Sequence, residues 1–435
     1  MEQRKKVLII GGGIDQVGMI RRCRERGYET WVLDYNPEAP GFALADHPVV
    51  ASTKDKDQVT AVAREAGVDA ITSFITESGH HSILHATREL GLPVFLSDKG
   101  VRATTNKIEM RKLLAERGLN DLPFCEPRSY AEVKAFAEEH GFPLVLKTSQ
   151  SAGQTNVYKI YDGDALEKTY QAHFLSYGPG EVILERFVSG PEINVVYTAY
   201  RGKIQDLIIS DRQTNQDAFG VAKRHECPSK YYEATKQRVR EKCQAINDCL
   251  EIENAVVYPQ LIVSESGEPI LLELGVRVPG GHVKEVMEYH TGIDTLEYCL
   301  DVSLGELKAY EHYRQLPTYP CVYVTFLNAE PGALRCGRVA ELRGAEAFAE
   351  VDWMKGMDYF GVNRDLRQIQ PLREGKDRFF YIITVGASKW ETHQRFLKVL
   401  EGIDLVDEAG RSLIDKNFDF DNFYLVEAVE EGKTK

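Results

Sequence analysis

Glu273, Gly275 and Arg277 alternate with Leu274, Val276 and Val278 in the run PILLELGVRVPGGH. Side chains of a strand have period two, so Ile270, Leu272, Leu274, Val276 and Val278 are expected on a core face and the three polar or small positions on the other. An apolar run from Ala255 to Val263 precedes it, and Ser266-Gly267 reads as the two-residue turn of a hairpin. That turn sets Gln260 opposite Glu273 and Tyr258 opposite Gly275. A carboxylate, a carboxamide and a guanidinium then share one surface, with room beside Glu273 at the glycine. The alternative is a half-buried strand with a solvated polar face. Pro279-Gly280-Gly281 leads on into a helix.

Other residues suggest anion chemistry. In PLVLKTSQSAGQTNVYKI, Lys147 closes an apolar strand where an unpaired lysine would be costly. The loop from Ser149 to Thr155, with Ser151 and Gly153, leaves N–H groups able to wrap phosphate oxygens, or is a flexible loop. Lys107 falls in the first turn of a helix that Thr104 or Thr105 would cap, a position the helix dipole disfavours for a cation, which suggests that it meets an anion. Arg212, Lys223, Arg224 and His225 gather in a stretch with little apolar periodicity: a solvated loop, or a site for a carboxylate or phosphate.

These residues need a scaffold. Val7–Ile10, Thr30–Leu33, Val68–Phe74 and Val94–Leu96 read as strands alternating with helices, so residues 1 to about 100 are expected to form a doubly wound α/β domain. Gly11-Gly12-Gly13 with Asp34 invites a dinucleotide reading, but Gln16 stands where the fingerprint needs its third glycine. Glu77, His80 and His81 follow the third strand, at the edge where ligands collect; each histidine could equally be an exposed loop residue. Two helices occupy 104–142, and 182–200 carries two strands interrupted by Glu185, Arg186, Ser189-Gly190-Pro191 and Glu192. A helix covers 231–250, and a helical segment runs from Tyr289 to about Tyr313. From Pro317, YPCVYVTFL, GALRCGRVAEL and RFFYIITVGAS read as strands before a helix at Thr392–Leu400, an α+β module.

The 435 residues exceed one compact core. A net charge of -13 argues against nucleic acid or an anionic membrane as partner. Eight scattered cysteines without a CxxC pair are expected to be free thiols, and MEQRKKVLIIGGG is too short in apolar residues for a signal peptide or membrane span; a cytoplasmic protein is expected.

Together these segments resemble the ATP-grasp superfamily of carboxylate-amine ligases, specifically its L-amino-acid ligase (dipeptide synthetase) subgroup. Glu185-Arg186-Phe187-Val188-Ser189-Gly190-Pro191-Glu192 looks like the adenine-binding hinge, with Glu192 on the ribose hydroxyls. Lys107 and Lys147 match the two lysines that bind ATP phosphates, and Ser149–Thr155 the loop that covers them. Glu273 and Arg277 match the E-x-N-x-R strand as metal ligand and phosphate clamp; Gln260 takes the place of a second acid and Gly275 that of the asparagine. His225 with Pro228 and Ser229 resembles an H-x-x-P-S stretch of the subgroup.

The resemblance implies an α/β and α+β architecture: a Rossmann-like preATP-grasp domain over 1–103, an ATP-grasp domain over 104–314 with a nucleotide-binding subdomain near 115–190, and a lid domain over 315–435. It further implies ATP and Mg2+ (or Mn2+) as cofactors, Glu273 and Gln260 as metal ligands, and a homodimer acting on small-molecule carboxylates and amines. Arg277, Lys223 and His225 would be catalytic, and Glu77, Arg224, Gly280 and Gly281 would meet the substrates. The expected chemistry is amide or peptide bond formation between amino acids through an acyl phosphate, with release of ADP and phosphate. Alternatives are a nucleotide-binding protein with a degraded metal site, a carboxylase-like ligase using bicarbonate, and a dehydrogenase.

Overall fold

The computed structural model describes residues 4–150, 156–214, 221–327, 339–359, 378 and 380–414. Ser151 and Gly153 lie outside them. The chain divides into two compact units, Met1–Ile209 with Tyr231–Leu316, and Ser210–Lys230 with Pro317–Lys435.

The first unit begins with a four-stranded parallel sheet in the spatial order His47–Val50, Glu29–Asp34, Lys6–Ile10, Ala70–Thr72. Leu8, Ile10, Leu33 and Ile71 join Val59 and Ile83 from two helices in its core. The strand expected at Val94–Leu96 does not form: it follows Pro93, and Val94 is 48% exposed. The fourth strand is instead His47–Val50, at the sheet edge, where Pro48 is tolerated because no neighbour needs its missing N–H.

A second sheet orders Phe124–Cys125, Val182–Arg186, Leu144–Thr148 and Val157–Ile160, all antiparallel. Leu144, Leu146, Ile160 and Leu184 pack with Phe136 and Leu166 on one side. By alternation, Val145, Lys147, Lys159 and Glu185 fall on the other.

A third set orders Pro269–Gly275, Ala255–Val263, Glu192–Tyr200 and the start of Lys203–Thr214. Its core face carries Ile193, Tyr197, Val257, Leu261 and Leu274, covered by Met110 and Leu114 of the helix Lys107–Ala115 and by Val239 and Ile246 of the helix Tyr232–Cys249. The hairpin turn differs from the two-residue expectation. Ser264 N–H donates to Glu268 O at 2.9 Å, so residues 265–267 form the loop, with Gly267 left-handed at φ 79°. A bulge then restores the register: Leu261 pairs with Leu271, but Gln260 pairs with Glu273 and Tyr258 with Gly275, leaving Leu272 as the extra residue. Leu271 is therefore fully buried, whereas Ile270 and Leu272, expected in the core, are half-buried. An inserted residue moves every side chain on one side of it to the opposite face.

Helix entry is also corrected. Thr104 and Thr105 end the helix Asp98–Thr105, and Asn106 caps the next one, its Oδ1 accepting from Ile108 and Glu109 N–H at 2.8 and 3.3 Å. The segment after the hairpin is two helices, Val283–Thr291 and Thr295–Leu304, and a short turn at Tyr310–Tyr313. Arg22 lies 2.8 Å from Asp294 and 3.1 Å from Glu297, and Arg26 lies 2.5 Å from Asp301, tying the helix Val17–Glu25 to Thr295–Leu304.

In the second unit the end of Lys203–Thr214 is followed by Ala222–Cys227, Cys321–Leu327, Phe380–Gly386 and Met354–Tyr359, with the helix Lys389–Gly402 supplying Phe396 and Val399 to a core with Phe380 and Ile382. Met354–Tyr359 was not expected, and most of GALRCGRVAEL lies outside the described residues. The basic stretch is neither a solvated loop nor an open anion site around Arg224; it is two paired strands, Arg212 opposite His225. Arg224 is fully buried, its Nε donating to Thr325 Oγ1 at 2.7 Å, its Nη1 3.2 Å from Glu226 Oε1, and its guanidinium 4.4 Å over the Phe396 ring. Alternation puts Arg224 and Glu226 on one face, and a buried charge survives there because it is paired. No helix among the described residues is long and apolar enough to cross a membrane.

Candidate active site

The hairpin carries a polar row on the face away from the core. Asn194, Gln260 and Glu273 are cross-strand partners in succession. Gln260 Nε2 donates to Tyr258 Oη at 3.3 Å, and Tyr258 O–H donates to Asn194 Oδ1 at 3.0 Å. Glu273 remains 39% exposed, with Lys107 Nζ at 4.0 Å.

Lys107 reaches that row because Asn106 starts its helix there, and its N–H donates to Ser149 O at 2.9 Å. One turn later, Arg111 lies on the same helix face. Its Nε donates to Glu185 Oε1 at 2.8 Å, while Nη1 and Nη2 donate to the carbonyls of Leu271 and Leu272 at 2.8 and 3.1 Å. Glu185 Oε2 lies 2.6 Å from Lys147 Nζ. Burial alone would raise the Glu185 carboxyl, but Arg111 and Lys147 outweigh it and hold the group down to about 2. Burial lowers Lys147 from its ordinary value, and Glu185 opposes that fall. The Glu185 carboxylate is thus a structural bridge between the two cations.

Beyond it, Arg186 is exposed, while Phe187, Val188 and Glu192 are half-buried. Lys159 Nζ stands 3.6 Å from the Phe187 ring centroid. The turn is pinned at Gly190 (φ 151°), where a Cβ would lie 2.2 Å from Val263 O.

Lys54, Glu77, His81, Lys107, Glu273 and Arg277 line a cavity of about 450 Å3. Arg277 Nε lies 3.1 Å from Glu77 Oε2, and its Nη1 donates to Val278 O at 3.0 Å. Burial raises the Glu77 carboxyl above its ordinary value, and Arg277 opposes the rise. Gly281 and His282 both adopt left-handed backbone, at φ 62° and 60°, and a Cβ on Gly280 would lie 3.1 Å from Ile75 Cγ2.

Of the residues expected at a site, Lys107, Glu273, Arg277 and Glu77 share this cavity, Gln260 adjoins Glu273, and Lys147 and Glu185 belong to the neighbouring ion cluster. His81 opens the helix His80–Leu90 and faces Thr105 Oγ1 at 2.9 Å, whereas His80 is buried. Lys223, Arg224 and His225 belong to the second unit; Lys223 is half-buried and His225 is buried, edge-on to Phe326. Sequence reasoning missed Arg111, Asn194, Lys54 and Lys159. Arg111 alone left a signal, its spacing from Lys107. The glycine loop does not present a free ribose acid: Gly12 N–H donates to Asp34 Oδ2 at 2.7 Å, and the Gln16 side chain lies over Gly11 and donates to Phe74 O at 2.7 Å.

Among the described residues no group of three or more histidine, cysteine or acidic side chains could hold a metal ion. One carboxylate beside one carboxamide fits an ion that keeps water and nucleotide oxygens in its shell, as Mg2+ does.

The family described as the carbamoyl-phosphate synthase L chain, ATP binding domain, matches residues 106–309, the span that contains both lysines, the hinge and the hairpin. The solved L-amino acid ligase of Bacillus licheniformis superposes with a TM-score of 0.76 at 18% identity, covering 94% of this chain and all of that one. The chain has the ATP-grasp fold. The biotin carboxylase domain of the Hydrogenobacter thermophilus 2-oxoglutarate carboxylase, solved as a dimer with MgADP and bicarbonate, shares this fold, with a TM-score of 0.71 at 18% identity over 99% of each chain. In sequence, the formate-dependent phosphoribosylglycinamide formyltransferase of Sulfurisphaera tokodaii is 27% identical over 193 residues, 43% of this chain and 48% of that enzyme. The match spans about half of that relative's length.

Proposed function

We propose that this ATP-grasp chain is an ATP-dependent carboxylate-amine ligase that joins amino acids through an acyl phosphate. The observation that carries the reading is the convergence of Lys107, Arg277 and the Glu273 carboxylate on one cavity of about 450 Å3, whose other carboxylate, Glu77, is paired with Arg277. A triphosphate needs cations on several oxygens, and phosphoryl transfer needs little from a protein beyond position and charge.

In this reading Lys107 and Lys147 meet the inner phosphates and Arg277 meets the terminal one. The segment Arg186–Glu192 holds the nucleoside. Glu273 and Gln260 are the residues that would hold Mg2+ or Mn2+, which supplies charge neutralisation between phosphate oxygens when bound. A substrate carboxylate oxygen attacks the γ-phosphorus as the bond to ADP breaks. An amine then attacks the acyl carbon, gives up a proton, and inorganic phosphate leaves. Glu77, Gly280 and Gly281 border the substrate end. By analogy with the dimeric carboxylase domain, the chain acts as a homodimer.

Screening the twenty amino acids, alone and in pairs, should give ADP and phosphate with a dipeptide product. AMP and pyrophosphate would overturn the acyl-phosphate route, and ADP release that requires bicarbonate would select a carboxylase-like ligase. The neutral Gln260 favours a second reading, nucleotide binding without turnover, which calorimetric binding of MgATP with no product from any pair would support.

A further inference from the structure

Glu77 and Gly275 come from distant parts of the chain, yet they occupy one another's space. A Cβ at position 275 would lie 2.7 Å from Glu77 Oε1, closer than non-bonded atoms come. The other carboxylate oxygen, Oε2, lies 3.1 Å from Arg277 Nε. We propose that Glu77 is the positioning residue for Arg277, and that Gly275 is bare so that the Glu77 carboxylate can reach it. The proposal rests on the reading that Arg277 meets the terminal phosphate of ATP.

Three features support it. Glu77 arrives on a constrained loop: Ile75, a β-branched residue, holds the left-handed φ of 59°, and a Cβ on Gly79 would lie 2.5 Å from Ile10 Cγ2, so the loop sits directly on the first strand. Arg277 is held at Nη1 by Val278 O at 3.0 Å and by its ion pair with Glu77, whose Oε2 stands 3.1 Å from the buried Nε without completing a hydrogen bond there. One hydrogen bond and one ion pair restrain the guanidinium while leaving donors on it for a ligand, without the loss of side-chain freedom that a loose arginine would suffer on binding. Lastly, a carboxylate already paired with a guanidinium is a poor inner ligand for a cation, which favours positioning over metal binding for Glu77.

The test is calorimetry of the full-length chain with MgATP and with MgADP, because a contact to the terminal phosphate affects only the first. Arg277→Ala should weaken MgATP about tenfold or more while leaving MgADP within about twofold. Glu77→Gln, which keeps the shape and removes the charge, should reproduce a loss of at least about threefold with the same selectivity. Gly275→Ala should do likewise although the acid is still present, since only the flexible end of Glu77 must move to accept the methyl group. Neither change should cost anything further in the Arg277→Ala background. Wild-type MgATP affinity in both Glu77→Gln and Gly275→Ala, alongside a weakened Arg277→Ala, overturns the positioning role and leaves the phosphate role of Arg277 standing. An Arg277→Ala chain that loses MgATP and MgADP equally overturns the phosphate reading itself. Absence of ligase product does not enter this comparison, so failure of the ligase proposal is read separately.

Discussion

Arg111 joins the hinge acid to the hairpin: its Nε donates to Glu185 Oε1 at 2.8 Å while its outer nitrogens take the Leu271 and Leu272 carbonyls that the bulge disturbs. The side chain is fully buried, as is its partner. Removing Arg111 leaves the buried Glu185 with Lys147 as its neighbouring cation and takes a donor from each of two carbonyls, so Arg111→Met should cost about 3 kcal/mol of stability. Equilibrium urea unfolding checks this, and a loss below about 1 kcal/mol would show that Glu185 and the two carbonyls find other donors.

The same pair sets an acid limit. The Glu185 carboxyl is held at about 2, below its ordinary 4.5, so its stabilisation is complete above pH 4.5 and is lost as pH falls from 4.5 through 2. Thermal midpoints across that window should fall with pH in the wild type, and Glu185→Gln should remove part of the slope while lowering the midpoint at neutral pH. A slope unchanged by Glu185→Gln would assign the acid loss to other carboxylates.

Gln260 stands beside Glu273 as a neutral oxygen donor. Gln260→Glu adds a charge at the proposed metal edge and should tighten Mn2+ binding about tenfold in the presence of a non-hydrolysable ATP analogue, measured by electron paramagnetic resonance. Unchanged Mn2+ affinity would place the ion away from this edge.

Asp301 is fully buried and receives Arg26 at 2.5 Å, Lys308 at 3.1 Å and Tyr313 O–H at 3.2 Å. Asp301→Asn should cost about 3–5 kcal/mol, an effect retained in high salt because buried pairs are poorly screened. A loss abolished by 1 M salt, where screening reaches about 3 Å, would mark the cluster as a surface network.

Much of this was legible in the sequence. The alternation around Glu273 and Arg277 gave the site face, and the pairing of Gln260 with Glu273 followed from the turn residues. That pairing is right through two offsetting departures, a loop one residue longer and a bulge at Leu272 that no composition marks. Lys107 and Lys147 stood out as cations in costly places, whereas Arg111, one helical turn after Lys107, was passed over because its partners Glu185, Leu271 and Leu272 lie far along the chain. By contrast, Arg224 looked like a ligand-binding cation because the groups that bury it, Thr325, His393 and Phe396, lie far along the chain. Pro48 hid an edge strand, and Pro93 preceded a false one. The contact between Glu77 and Gly275 left no local trace at all, because a missing Cβ carries no pattern.

The measurement that reaches the central proposal most directly follows oxygen. Amino acids labelled with 18O in their carboxylates, incubated in pairs with the chain, Mg2+ and ATP, should yield inorganic phosphate carrying one 18O atom beside ADP, because the acyl phosphate keeps the carboxylate oxygen when the amine displaces phosphate. Label recovered in AMP would contradict the account in favour of adenylation, and phosphate free of label would reduce the activity to ATP hydrolysis.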